Sequence, residues 1–433
     1  MKTPFEVKVE RIIPGGRGIA FLNKRAVFLP LVAPGDRVQV NQFIDRGSYL
    51  DVLGSAVVES SSQRQSAPCL YFGTCGGCDF QHISYQNQLL SKRDILRDAL
   101  VHVGKIHVTT GQIDLVASPP LAYRNRLQLK VLRQGDTFSW GFFQSGSHQV
   151  CPINRCLIAT DSLWEMLSEL KSFLEHSPLT LRHLVQVEVF QGDAAATLVD
   201  LRVKRDVDTL DIFKRELQGN SFDLGARKVN VFVSLSQKQS LRVLGPGHVR
   251  KTVGVFKYRV SRGTFFQVND SMLKPLLESA TKGLNGATAL DLHCGVGFFT
   301  LPLTRSFGRV LAVDQNTSAI RDIRENIKAN GISNCRLFNL DLDTFLRIHK
   351  RELDHLDLVL LDPPRKGIPK QTVKRVVELN ASKVVYVSCD PSTLARDLAI
   401  FLRWGYSIIS LEILDLFPQS HHLETVARLE KRG

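Results

Sequence analysis

Nowhere in the 433 residues does an uninterrupted apolar run approach the roughly 18 residues that a membrane-spanning helix needs. The first residues, MKTPFEVKVE, alternate charge with apolar side chains where a secretory signal would be continuous, so a cytoplasmic protein with no membrane partner is expected. Acidic residues are in short supply. Against 42 Asp and Glu stand 56 Lys and Arg, a formal net charge of +14, which favours polyanionic partners, nucleic acid first, over acidic small molecules. Cysteine is sparse as well, at eight, with three crowded between positions 69 and 78; this points to metal or catalytic use, not a secreted disulfide framework. Repeats and low-complexity tracts are absent. Length alone predicts about two to four domains, and a hydrophobic fraction of 43% suits a folded chain.

The stretch most suggestive of chemistry is KVVYVSCDPSTLARDL, residues 383–398, where a β-branched and aromatic run ends at Ser388, exposes Cys389 and turns through Asp390-Pro391 into a helix that Ser392 or Thr393 would cap. Ligands of open α/β sheets collect at the carboxyl ends of strands. A free cysteine is more often packed as a small hydrophobe. Here LVLLDPPRKG, residues 358–367, is a second strand that ends in polar residues at the same edge, which favours a presented thiol.

From about Ser261 onward, strands and helices alternate regularly. LDLHCGVGFFT, residues 290–300, reads as a strand, a glycine turn and a helix start, and VLAVD ends the next strand in Asp314. That is the layout of a nucleotide-type pocket, with a carboxylate placed for ribose hydroxyls. A third turn glycine is missing, because Thr300 stands at its position, so a dehydrogenase is disfavoured. The open turn suits S-adenosylmethionine, which has ribose and adenine but no phosphate.

Upstream, short alternating runs from Phe5 to about Val58, separated by Pro14-Gly15-Gly16, Asn23-Lys24 and Pro34-Gly35-Asp36, predict a small β-barrel with a basic excess. Its PGGRGIAF stretch resembles the TRAM domain, an oligonucleotide-binding-fold barrel of RNA-modifying enzymes. RNA binding and a merely solvated basic face both remain open for it. A polar linker, 59–68, leads into Cys69, Cys75 and Cys78, spaced C-x5-C-x2-C; Cys151 and Cys156 are the candidates for a fourth thiolate. Soft thiolates suit zinc or an iron–sulfur cluster. No second C-x2-C pair supports a zinc ribbon, and the C-x3-C-x2-C of radical enzymes is absent, so a four-iron cluster is expected. SKRDILRDALVHV, residues 91–103, repeats as a helix with a basic face, and YRNRLQLKVL, residues 123–132, as a half-exposed strand. Arg124, Arg126, Lys130 and Arg133 form either a phosphate-binding row or a solvated basic strand.

Five motifs, CLYFGTCGGCDFQH, SRGTFFQVN, DLHCGVGFFTLPL, LLDPPRKG with YVSCDPSTLARD, and FPQSHHLETVARL, together resemble the RNA uracil-5-methyltransferase family over nearly the whole chain. The resemblance implies an α/β fold in three parts: a TRAM barrel at 1–58, a central α+β domain with the cluster at 59–260, and a Rossmann-like S-adenosylmethionine-dependent methyltransferase domain at 261–433. It makes Cys389 the nucleophile and Glu424 the general base. It assigns Gln267, His293, Asp314, Asp341 and Asp362 to the methyl donor, Phe265 to the target base, and Cys69, Cys75, Cys78 and Cys156 to a [4Fe-4S] cluster. The implied substrate is RNA, ribosomal more than transfer RNA, and the expected state is a monomer. The sequence departs from the family in His293, usually aromatic, in Phe298, where some members have Asn, and in Asp390, usually Asn. That last carboxylate should raise the thiol's pKa unless Arg365 or Arg396 offsets it. An amino-methyltransferase is disfavoured because Arg365 stands where LDPPR would need a stacking aromatic, and a non-catalytic RNA-binding module leaves Cys389 without a task.

Overall fold

The structure, a computed structural model, describes residues 4–134, 137–204, 210–219, 228–235, 239–349, 353 and 355–432. Strands Phe5–Lys8, Arg11–Ile12, Gly18–Leu22, Arg25–Leu29, Arg37–Asp45 and Tyr49–Glu59 form one six-stranded sheet. Alternation buries Val27, Leu29, Val38 and Val40 in a core of their own. The tightest hairpin turns on Asn23 and Lys24, both at positive φ (49° and 67°), as a two-residue type I′ connection requires. Much of the basic excess is paired with carboxylates of the same chain, partly buried where Arg17 meets Asp51 at 2.5 Å and Arg11 meets Asp98 at 2.9 Å, and at the surface where Arg37 meets Glu6 at 3.3 Å and Arg25 pairs with Asp45. The aperiodic linker is pinned as well. Buried Asp36 accepts the Ser61 N–H at 3.0 Å and pairs with Arg64 at 2.6 Å.

A seven-stranded sheet follows, in the order Val150–Pro152, Thr137–Phe143, Arg126–Gln134, Leu184–Gln191, Thr197–Val203, Val229–Ser234 and Ser240–Leu244. Helix Asp161–Glu175 lays Leu163, Leu167, Leu170 and Leu174 on it. The basic row of its strand is largely engaged within the protein: Arg126 bonds Glu188 at 2.8 Å, Arg124 the Arg126 carbonyl at 2.9 Å, Arg133 the Arg182 carbonyl at 2.7 Å, and Lys130 bonds Gln186.

Eight strands build the last large sheet, in the order Cys335–Phe338, Phe307–Val313, Gly286–Leu292, Leu358–Leu361, Lys383–Ser388, Glu424–Lys431, Tyr406–Leu414 and Ile113–Val116. The first five are parallel, and Glu424–Lys431 runs against both its neighbours. Runs such as Leu358–Leu361 are wholly buried, because helices cover both faces. Strand order reverses between Gly286–Leu292 and Leu358–Leu361, where a ligand crevice is expected.

Ile113–Val116, assigned from sequence to the central 59–260 unit, pairs in parallel with Leu411–Leu414. Helix Tyr85–Ala99 places Ile95 and Leu96 in the same core as Leu394 and Leu398 of helix Pro391–Arg403. Residues 85–116 therefore pack with the last sheet; a four-residue edge strand has too little periodicity to reveal which sheet it joins. No helix among the described residues is long and apolar enough to cross a membrane.

Candidate active site

Cys389 follows the central strand Lys383–Ser388 and is half-buried. Its neighbour Asp390 turns away to cap the next helix, accepting the Thr393 N–H at 2.7 Å with Pro391 in the first turn. This corrects two expectations. Neither Ser392 nor Thr393 is the cap, and the Asp390 carboxylate serves the helix terminus, where the macrodipole favours negative charge. Arg396 is committed to Asp397 at 2.7 Å and to the Ile368 carbonyl, which leaves Arg365 as the cation acting on the thiol.

The antiparallel strand Glu424–Lys431 supplies the second group. Its register pairs Thr425 with Ser388, so Glu424 arrives at the sheet edge beside Cys389. It is no surface carboxylate: only 4% of its surface is exposed. Burial, and then the charge of Asp362, raises its pKa well above the ordinary value, against the pull of Arg365. Burial and then Glu424 push the Cys389 thiol up to about 12, again opposed by Arg365. Removing that cation disfavours both anions, so Arg365→Gln should shift the pH–rate profile to higher pH by about one unit, with activity recovered in alkali. A profile superimposable on wild type would mean that Arg365 does not govern these ionisations.

Along the same edge His293 takes a left-handed conformation (φ 65°) and leads into the glycine turn. A side chain at Gly297, itself at φ 91°, would meet Leu301 at 2.6 Å and Ile323 at 2.8 Å, so that glycine is needed for close helix packing. Asp314 closes the turn by accepting the N–H groups of Gly295 at 2.9 Å and Asn316 at 2.7 Å. His293, Asp314 and Asp341 line a cavity of about 290 Å³ with Pro364, Ile368 and Thr372. Asp341 also caps helix Leu342–Ile348. Asp362 and Gln267 do not line this cavity, but Asp362 is electrostatically part of it: burial, with the charges of Asp291 and Asp314, raises it to about 7. Buried Asp291, bonded to Thr300 at 2.5 Å, is likewise raised to about 7, chiefly by burial. Sequence inspection gave Asp291 no role, though the LDL ending of its strand was the available signal. Such a carboxylate cluster favours a cationic ligand. Phe265 lies elsewhere, 63% exposed at a separate cleft.

Cys69, Cys75, Cys78 and Cys156 line one cavity of about 260 Å³, with Arg124, Arg155, Arg365, Phe417 and His422 also on its walls. Cys151 is buried outside that lining. Burial chiefly, and neighbouring thiols in addition, push Cys75 to about 11 and Cys78 to about 12. Among the described residues no three cysteine, histidine or carboxylate side chains form a group that could hold one metal ion. The thiols surround a space; they do not close on a point.

Between that cavity and Glu424 runs the loop 415–422, fastened by groups that sequence inspection missed. Lys92, expected on a basic helix face, is wholly buried and donates to Asp415 at 2.6 Å and to the Phe417 carbonyl at 2.9 Å. Gln88 exchanges side-chain and backbone bonds with Gln419 at 3.0 and 3.1 Å, Tyr123 donates to the Pro418 carbonyl at 3.0 Å, and Asp79 accepts His421 at 2.7 Å.

The switch point holds no third glycine and presents carboxylates, an arrangement that suits the cationic sulfonium of S-adenosylmethionine in a methyltransferase. Residues 84–432 match the family model "tRNA (Uracil-5-)-methyltransferase". An RNA methyltransferase of Aquifex aeolicus is 32% identical over 99% of this chain and 98% of its own. The 23S rRNA (uracil(1939)-C(5))-methyltransferase RlmD of Shewanella amazonensis is 31% identical over 98% of this chain and 95% of its own. The fold is similar to that of Pyrococcus abyssi tRNA (uracil-54, C5)-methyltransferase, solved with S-adenosyl-L-homocysteine, at 24% identity and a TM-score of 0.73, covering 98% of this chain and 100% of that one. The chain belongs to the RNA uracil-5-methyltransferase family, enzymes that use S-adenosylmethionine to methylate carbon 5 of uracil in RNA.

Proposed function

We propose that the protein methylates a uridine of 23S ribosomal RNA through a covalent Cys389–uracil intermediate. The observation that carries the mechanism is the antiparallel register that sets Glu424 beside Cys389 at one sheet edge. Carbon 5 of uracil is a poor nucleophile. Addition of the Cys389 thiolate to carbon 6 forms a C–S bond and pushes the ring electrons into an enolate, which is nucleophilic at carbon 5. S-adenosylmethionine would be held by His293, Asp314 and Asp341 in their cavity, with the Asp362 carboxyl beside it and Gln267 assigned by resemblance alone, and would supply an electrophilic methyl group on a cationic sulfur. Glu424 then takes the carbon-5 proton, the double bond re-forms, and the thiolate leaves. The reacting base must be flipped out of its stack, with Phe265 against it.

Ribosomal RNA is favoured by the Shewanella relative, whose name specifies 23S rRNA. Labelled methyl donor given with 23S rRNA fragments and tRNA transcripts should mark the ribosomal RNA. Label on tRNA alone would overturn the assignment.

The thiols fit a [4Fe-4S] cluster held by Cys69, Cys75, Cys78 and Cys156 better than a single zinc ion, because they ring a cavity of about 260 Å³ and do not close on a point, with the Arg124 charge favouring the Cys156 thiolate against burial. Such a cluster would tie the cysteine segment to the sheet that carries Cys156. Protein purified without oxygen should contain about four irons and four sulfides per chain; Cys156→Ser should lose them and Cys151→Ser keep them. Zinc without sulfide would refute the cluster. Residues 1–58 act as a TRAM barrel that adds affinity for RNA, 59–260 carry the cluster, and 261–433 the chemistry, in a cytoplasmic monomer.

A further inference from the structure

The loop 415–422 leads into Glu424, and within it Gln419 takes a left-handed conformation, at φ 68°, with only 4% of its surface exposed. Such a conformation is costly for a residue that carries a side chain and persists only where neighbours enforce it. The cysteine segment supplies neighbours. The backbone N–H groups of Asp79 and Phe80 both donate to the Gln419 carbonyl, at 2.8 and 2.9 Å. The Asp79 side chain reaches two residues further: its Oδ2 accepts the His421 backbone N–H at 3.1 Å and bonds Nδ1 of the His421 ring at 2.7 Å. Over this contact lies the Pro14-Gly15-Gly16 turn of the first sheet. A side chain at Gly16, itself at φ 78°, would approach the Asp79 Cβ to 3.0 Å and the His421 Cβ to 3.5 Å, so a glycine lets the three segments meet.

Asp79 directly follows Cys78, so a group that orders the thiols also sets the Asp79 carboxylate. Glu424 is the first residue of its strand, so the sheet fixes it from one side and the loop from the other. Cys389 and the donor cavity, by contrast, are built on strand ends that this loop does not carry. A general base works only within hydrogen-bond reach of the proton it takes. We propose that Asp79 is a positioning residue for Glu424, through which the ordered cysteine segment supports proton removal from carbon 5 but neither thiolate addition nor methyl transfer. The inference rests on the covalent mechanism proposed above, and it gives the cysteine segment, which has no chemical step in that mechanism, a share in the last one.

The test uses full-length enzyme with its iron and sulfide measured, an RNA containing the target uridine, and labelled methyl donor in a single turnover quenched onto denaturing gels. Asp79→Ala should form the methylated protein–RNA adduct at the wild-type rate and resolve it about tenfold more slowly, since small misplacements of a reacting group cost rates of this order. Asp79→Asn keeps an oxygen that can accept both His421 bonds and should restore most of the rate. His421→Ala, which leaves the neighbour of Cys78 untouched, should slow the same step and keeps the test available if Asp79→Ala loses its iron. Cys156→Ser should also accumulate adduct, because the segment is then no longer tied. Wild-type adduct decay in iron-loaded Asp79→Ala and in His421→Ala, or equal slowing of methyl transfer and adduct decay, would overturn the positioning role while leaving the mechanism in place. Absence of any adduct in Glu424→Gln would instead overturn the mechanism on which the inference rests.

Discussion

Glu424→Gln should stop the reaction after methyl transfer, leaving methylated RNA joined to Cys389. The two groups have consecutive tasks, and so they fail differently. Without the thiolate, carbon 5 never becomes nucleophilic; Cys389→Ala should abolish both methyl transfer and any covalent complex, a loss of at least about 10⁴-fold. Glutamine keeps the shape of Glu424 but cannot take a proton, so addition and transfer proceed and elimination does not. The substitution also removes the main charge that opposes thiolate formation, since Glu424 is the first neighbour, after burial, to raise the Cys389 pKa. Attack should therefore be no slower in the variant. Denaturing gels with labelled methyl donor distinguish the cases: a labelled protein–RNA band for Glu424→Gln and none for Cys389→Ala. Wild-type turnover in Glu424→Gln would transfer the proton-removal role to another group, with Asp362 the next to test.

What the sequence made legible follows from how local the signals are. Cys389 was recognisable because a β-branched run, a thiol and Asp-Pro occur within a few residues, and the strand end that they describe is where the structure has it. The Glu424 pairing is non-local: nothing near residue 424 states that its strand runs antiparallel to Lys383–Ser388, and only family resemblance suggested the partnership. The four cysteines illustrate both regimes. Cys69, Cys75 and Cys78 are close in sequence, but the choice of Cys156 over Cys151 depends on which thiol a distant turn presents to the cavity.

Charge was the weakest guide. Basic residues were read as surface, yet Arg17, Arg126 and Lys92 are each held by a partner tens to hundreds of positions away. Composition counts a lysine as positive whether it faces solvent or a buried aspartate. Asp390 misled in the same way. Its proximity to Cys389 along the chain suggested repulsion, whereas its side chain points into the helix that it caps. The residues that do raise the thiol's pKa, Glu424 and Asp362, come from other strands.

Lys92→Met should be the most damaging single change outside the strand-end pocket. Lys92 and Asp415 are both 0% exposed, and deleting the cation leaves an uncompensated buried carboxylate, at a cost of about 3–5 kcal/mol. The thermal unfolding temperature should fall markedly. The double variant Lys92→Met, Asp415→Leu removes both charges, and replacing a buried pair with apolar groups is often neutral for stability. Stability and activity should then separate. The second bond of Lys92, to the Phe417 carbonyl at 2.9 Å, is not restored by leucine, and the loop that it fastens runs directly into Glu424. A stable double variant should therefore still turn over slowly and accumulate some of the covalent adduct seen with Glu424→Gln, because the base is present but poorly held. Full activity in the stable double variant would mean that the ion pair serves the fold alone; an adduct would tie this buried lysine to proton removal.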